Sequence, residues 1–134
     1  MMIQWETRSQ MLFTLLIALI AILLLVGGQT LLKLGLNHIG GVSLFAGDAL
    51  GSLLGLLRTP WIMLGFVCYG VSALLWLDVL SKLDFSMAFP MVSLTYVFSL
   101  VIGRFIFHET VGLDRILGVF FILTGLFFVI RSGR

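Results

Sequence analysis

Of the 134 residues in this chain, 60% are hydrophobic and only 10% charged, whereas soluble domains carry about a quarter of their residues as charges. A hydrocarbon core about 30 Å thick takes about 20 apolar residues per helix, so the composition points to four spans with short loops and leaves no room among them for a soluble domain. The net charge of +2 is scattered, and no basic cluster points to nucleic acid.

The chain opens on a short polar stretch, residues 1–10, with Trp5 as an interfacial ring. Span 1 is expected over about residues 11–32. Its apolar core, residues 11–26, is at the upper limit for the h-region of a signal peptide, and no A-x-A site follows. An uncleaved span is the expectation. It ends in GGQTLLKLGLNHIGG, where Gln29, Lys33 and Asn37 fall at i, i+4 and i+8 on one helix face. Two readings stand for this stripe: Lys33 snorkels to the headgroups while Gln29 caps a helix contact, or the stripe faces a polar cavity.

Residues 37–60 form the longest connection. Within it SLFAGDALGSLLGLL sets Gly47, Gly51 and Gly55 at four-residue spacing among leucines. This segment is too short to span comfortably and reads as an interfacial or re-entrant helix. Span 2 is expected over about residues 61–80, with Pro60 at a plausible helix start. Tyr69, Ser72 and Trp76 lie on one side of it, and Asp78 is near its end.

Span 3 is expected over about residues 86–107. Pro90 removes a backbone hydrogen bond near its start and should kink it. Ser93, Tyr96 and Ser99 follow at three-residue steps, and Arg104 lies within a turn of the end. A polar joint at His108, Glu109 and Thr110 leads to span 4, about residues 111–130. That span carries Gly118 and Gly125, and Arg131 and Arg134 anchor its exit.

Four spans place both termini on one side. Arg8, Lys82, Arg131 and Arg134 fall on that side, and Lys33, Arg58, Arg104 and Arg115 on the other. Equal numbers give the positive-inside rule nothing to act on. Dual insertion, and with it an antiparallel dimer of inverted copies, is one expectation. The other is a single orientation set by local charges or a partner chain.

The sequence has no Ser/His/Asp set, no phosphate-cradling glycine loop and no close carboxylate pair in the spans, so catalysis is not expected. His38 and His108 read as solvated loop residues. Cys68 is the only cysteine and excludes an internal disulfide. No Cys/His set has metal-ligand spacing, and no metal or cofactor is expected. What remains is a sparse polar lining in an apolar bundle, as in a transporter. Lys33, Arg58 and Arg104, level with headgroups, suit a phosphate. Asp78 and Glu109 suit an amine or sugar hydroxyls, and Trp76 and Tyr96 offer ring faces to a sugar. Span 1 carries no carboxylate, since no Asp or Glu occurs between Glu6 and Asp48.

The stretches GGQTLLKLG, MLGFVCYGVSALLWLDVLSKLDFSMAFPMVSLTYV and FHETVGLDRILGVFFILTGLFFVI resemble the small four-span, EamA-like members of the drug/metabolite transporter superfamily. Within it they are most similar to the subunits that flip aminoarabinose-phosphoundecaprenol across bacterial inner membranes. The resemblance implies an all-α, multi-pass inner-membrane protein that moves a polyprenyl-phosphate-linked sugar. The implied assembly is a homodimer or a heterodimer with a related small subunit.

Carried onto this sequence, the resemblance points to Gln29, Lys33, Trp76, Pro90, Ser93, Tyr96 and Glu109. It also points to Gly118 and Gly125, which match a glycine pair that mediates dimer contact in the related small multidrug exporters. Those exporters have an essential glutamate eight residues before the lysine matched by Lys33. Here that position is Leu25, which argues against the alternative of a cationic drug or polyamine exporter. A third reading is a non-transporting subunit that stabilises a larger membrane partner.

Overall fold

The computed structural model describes residues 8–42 and 48–132. Among them it has six helices: α1 (Arg8–His38), α2 (Ala49–Arg58), α3 (Pro60–Lys82), α4 (Phe85–Met91), α5 (Leu94–Phe105) and α6 (Leu113–Ser132). Four stretches are long and apolar enough to cross a bilayer: α1, α3, α6, and α4 with α5 together over Phe85–Phe105. The chain is a multi-pass, all-helical membrane protein with a shorter apolar helix, α2, between the first two spans. Trp5, Gly47 and Arg134, singled out in the sequence, lie outside the described residues.

The tightest pairing is α1 against α3, and glycine makes it possible. A Cβ on Gly28 would sit 2.9 Å from the Gly65 carbonyl oxygen and 3.1 Å from the Tyr69 amide nitrogen. A Cβ on Gly65 would in turn sit 2.9 Å from the Gly28 carbonyl oxygen. In lipid, where apolar burial from water is not available, helices associate largely through close packing, which small residues allow by letting backbones touch. Nearby, the buried Ser72 hydroxyl donates to the Ala21 carbonyl at 2.8 Å. Ala18 and Ile22 of α1 meet Val79, Leu83, Ala88 and Met91 in one apolar cluster, with Trp76 and Phe98 packed on it.

The third span is broken. Pro90 lies inside α4 and has no N–H, so the Ser86 carbonyl loses its donor one turn on. Over the next residues the ladder tightens to i→i−3 bonds. Val92 donates to Phe89 (3.1 Å), Ser93 to Pro90 (3.0 Å), Thr95 to Val92 (2.9 Å) and Tyr96 to Ser93 (3.0 Å). The helix resumes at Leu94.

α1 runs 31 residues, about 46 Å at 1.5 Å per residue, and so outruns the hydrocarbon core by several turns. Gln29 and Lys33 therefore stand within a continuous helix, with its last turn beyond them. α2 is capped by Asp48, whose carboxylate accepts the Gly51 N–H at 3.0 Å. Pro60 takes the first position of α3, where a missing N–H costs nothing. Burial of the apolar window falls from 33% in α1 to 6% in α6, so α6 is the span left most open by this single chain.

Candidate functional site

A cavity of about 550 Å³ lies beside α5, between α1 and α6. α1 contributes Val26, Gln29, Thr30 and Lys33, whose i, i+3, i+4, i+7 spacing makes one helix face. α5 contributes Thr95, Tyr96, Ser99 and Gly103 among apolar neighbours. Val111, Arg115, Gly118, Val119 and Ile122 close it from the joint and from α6. The apolar cluster around Ile22 and Val79 lies further back along α1, so core and cavity are stacked along the helices.

The wall of the cavity carries an ion pair. Lys33 on α1 donates from Nζ to Oε1 of Glu109, 76 residues away in sequence. Both side chains remain part-exposed, at 48% and 39%, which leaves the pair reachable by a ligand. The Lys33 ammonium also lies 4.4 Å from the centroid of the Phe107 ring, a cation–π contact.

Local folding puts Glu109 there. α5 ends with the Ile106 N–H on the Ile102 carbonyl (2.8 Å) and the Phe107 N–H on the same oxygen (3.2 Å). His108 then takes a left-handed conformation, φ 52°, a region in which His is several-fold enriched among non-glycine residues. That turn brings the Glu109 N–H back to the Gly103 carbonyl at 2.8 Å. Gly103 leaves the space for it, since a Cβ at this position would lie 3.1 Å from Glu109 Oε2. Glu109 stands outside the spanning helices. The hydrogen bond from Lys33, and then the Lys33 charge, hold its carboxyl below the ordinary 4.5. Slight desolvation opposes this and the charge of Arg115 adds to it.

Of the residues singled out in the sequence, Gln29, Lys33, Tyr96, Ser99, Glu109 and Gly118 come together on this cavity. The others lie elsewhere. Trp76 packs on the apolar cluster. Asp78 is bonded to Lys82 at 2.7 Å, one turn on. Ser93 sits at the break in the third span, and its Oγ is buried without a hydrogen-bond partner among the described residues. Arg58 is exposed in the last turn of α2, and Arg104 is exposed in the last turn of α5. Gly125 has open space around it.

Thr30, Thr95, Phe107 and Arg115 line the cavity without having been singled out. For Arg115 the signal was present. It falls at i, i+3, i+4 and i+7 with Gly118, Val119 and Ile122, so a charge and a glycine share one stripe of α6.

The lining holds two cations, Lys33 and Arg115, against one carboxylate. Lys33 and Glu109 offset one another, so the lining keeps a net positive charge from Arg115, which favours an anion over a lone cation. Among the described residues no group of three His, Cys, Asp or Glu is placed to hold a metal ion.

No family model matches the chain, and no solved structure matches it. Curated relatives do, among them several named "Probable 4-amino-4-deoxy-L-arabinose-phosphoundecaprenol flippase subunit ArnE". The Pseudomonas savastanoi pv. phaseolicola protein is 39% identical over 75 residues, 56% of this chain and 66% of the relative. The Enterobacter sp. (strain 638) protein is 41% identical over 66 residues, 49% of this chain and 62% of the relative. In these two alignments the chain spans just under two thirds of the relative's length. The Pseudomonas aeruginosa (strain UCBPP-PA14) protein is 33% identical over 116 residues, 86% of this chain and 96% of the relative.

Proposed function

Since the chain belongs to the ArnE family of inner-membrane flippase subunits, we propose that it is itself a flippase subunit that moves a polyprenyl-phosphate-linked sugar across a bacterial inner membrane. The cavity receives the polar head while the polyprenyl tail stays in lipid. Lys33 engages the phosphate, with Arg58 and Arg104 as further cations at headgroup level. Glu109 engages an amine or hydroxyl of the sugar, and Gln29 and Tyr96 complete the lining.

The observation that carries the reading is the Lys33–Glu109 pair on the wall of a cavity of about 550 Å³, a size within the range of small-molecule sites. The excess of cation over acid in its lining disfavours the alternative of a cationic drug or polyamine exporter.

The relatives' name calls them subunits, which supports a partner chain here. The scant cover on α6 and the open space at Gly118 and Gly125 support α6 as the face it meets. In this reading the assembly is a dimer, either of two copies, antiparallel where the balanced charges allow it, or with a related small subunit. Native mass spectrometry of the protein purified from membranes and given undecaprenyl-phosphate-linked aminoarabinose tests this directly. The expected result is one lipid retained by a two-chain complex. No retained lipid in either homomeric or heteromeric preparations would end the proposal.

A further inference from the structure

We propose that Arg115 is the group that first docks the phosphate, and that the Lys33–Glu109 ion pair is a latch the docked phosphate opens, drawing Lys33 off Glu109. This deepens the flippase reading and rests on it.

Three observations carry it. First, the two cations of the cavity are not equivalent. Lys33 is committed to Glu109, whereas the Arg115 guanidinium forms no ion pair among the described residues, where the pairs are Lys33–Glu109 and Lys82–Asp78. An anion in the cavity therefore finds one cation without an ion-pair partner and one already neutralised by Glu109. Second, Arg115 is in the first turn of α6, next to the positive end of the helix dipole. A cation there works against the helix, and Asp114 in the same turn is the residue that suits the position. The Arg115 charge gains nothing from the helix dipole, and a positive helix end beside a guanidinium favours an anion.

Third, the latch joins elements distant in sequence. Lys33 rides on α1, and Glu109 is tied through Gly103 to the end of α5. Opening the pair thus releases α1 from the α5–α6 joint on the side of the cavity. Glu109 loses its ion-pair partner in the same event, and its carboxylate, still in the field of Arg115, then faces the head of the lipid.

The test is binding of undecaprenyl phosphate, a phosphate with no sugar or amine, to wild type and variants in nanodiscs at neutral pH. Arg115→Gln removes the docking charge and is expected to weaken binding about tenfold, the scale of one charge-assisted contact. Arg115→Lys retains part of it. Glu109→Gln leaves Lys33 uncommitted and is expected to tighten binding by about the same factor.

The sign of the Glu109→Gln effect separates this from a structural role, which predicts a loss. If wild type binds undecaprenyl phosphate but Arg115→Gln leaves affinity unchanged, or Glu109→Gln weakens it, the latch is wrong while the flippase reading stands. If wild type binds neither undecaprenyl phosphate nor its aminoarabinose conjugate, the flippase reading fails first.

Discussion

Two adjacent glycines in α1 should respond to the same substitution with opposite signs. At Gly27 a new Cβ meets nothing within 4 Å, while at Gly28 it meets the Gly65 carbonyl oxygen at 2.9 Å, the Tyr69 nitrogen at 3.1 Å and the Cys68 Cβ at 3.2 Å. Ordinary van der Waals contact begins near 3.4 Å, so Gly28→Ala is short by about half an ångström against backbone, which yields only if α1 and α3 separate. Overpacking of this kind costs about 1–3 kcal/mol. Gly27→Ala adds no clash and gains about 0.5–1 kcal/mol of helix propensity. The two variants should therefore differ by about 1.5–4 kcal/mol in unfolding free energy. Titration with SDS in dodecylmaltoside micelles, followed by far-UV circular dichroism, reads the difference. Equal midpoints for the two would refute the backbone contact between α1 and α3. Because Gln29 follows Gly28 directly and Lys33 is a little over a turn further on, Gly28→Ala should also weaken lipid-phosphate binding, and Gly27→Ala should not.

Other consequences can be measured separately. Ser72→Ala removes a buried interhelical hydrogen bond and should cost about 0.6 kcal/mol, at most about 1.7, in the same titration. Glu109 has a depressed pKa because it is paired with Lys33, so the stabilisation from the pair is present above the ordinary carboxylate value and is lost as pH falls through the lowered one. Lys33→Gln should bring the Glu109 titration back up toward 4.5, read by carbon-13 NMR of the labelled carboxyl, and an unmoved titration would mean that Lys33 is not its counter-ion. Pro90→Ala restores an N–H one turn after the Ser86 carbonyl, so amide exchange across residues 90–93 should slow; unchanged protection would show that the break has another cause.

The spans were legible because hydropathy is a local property. The apolar run from Met11 reads as a membrane helix without knowledge of anything else in the chain. Pro90 is equally local, since a missing N–H disturbs a helix wherever it lies. What local reading does not reach is how far the break extends. The turn of i→i−3 bonds through Tyr96 depends on how α4 and α5 pack on their neighbours. Spacing along one helix did put Gln29 and Lys33 on a shared face, but it left two readings for that face, headgroup or cavity.

Chain order alone made the membrane class, the number of spans, the broken third span and the family pattern readable, because each depends on which residues follow one another along the chain and not on which helices meet. Tertiary structure decided which charges meet. Lys33 finds Glu109 across 76 residues because α1 packs beside the end of α5 and because His108 turns the chain back on Gly103. By the same route Arg115, which the sequence offered only as one more cation for a topology count, lines the cavity, while Arg104, a residue beyond Gly103, does not. A charge acts over a few ångströms in space, and no spacing along the chain encodes that distance between different helices.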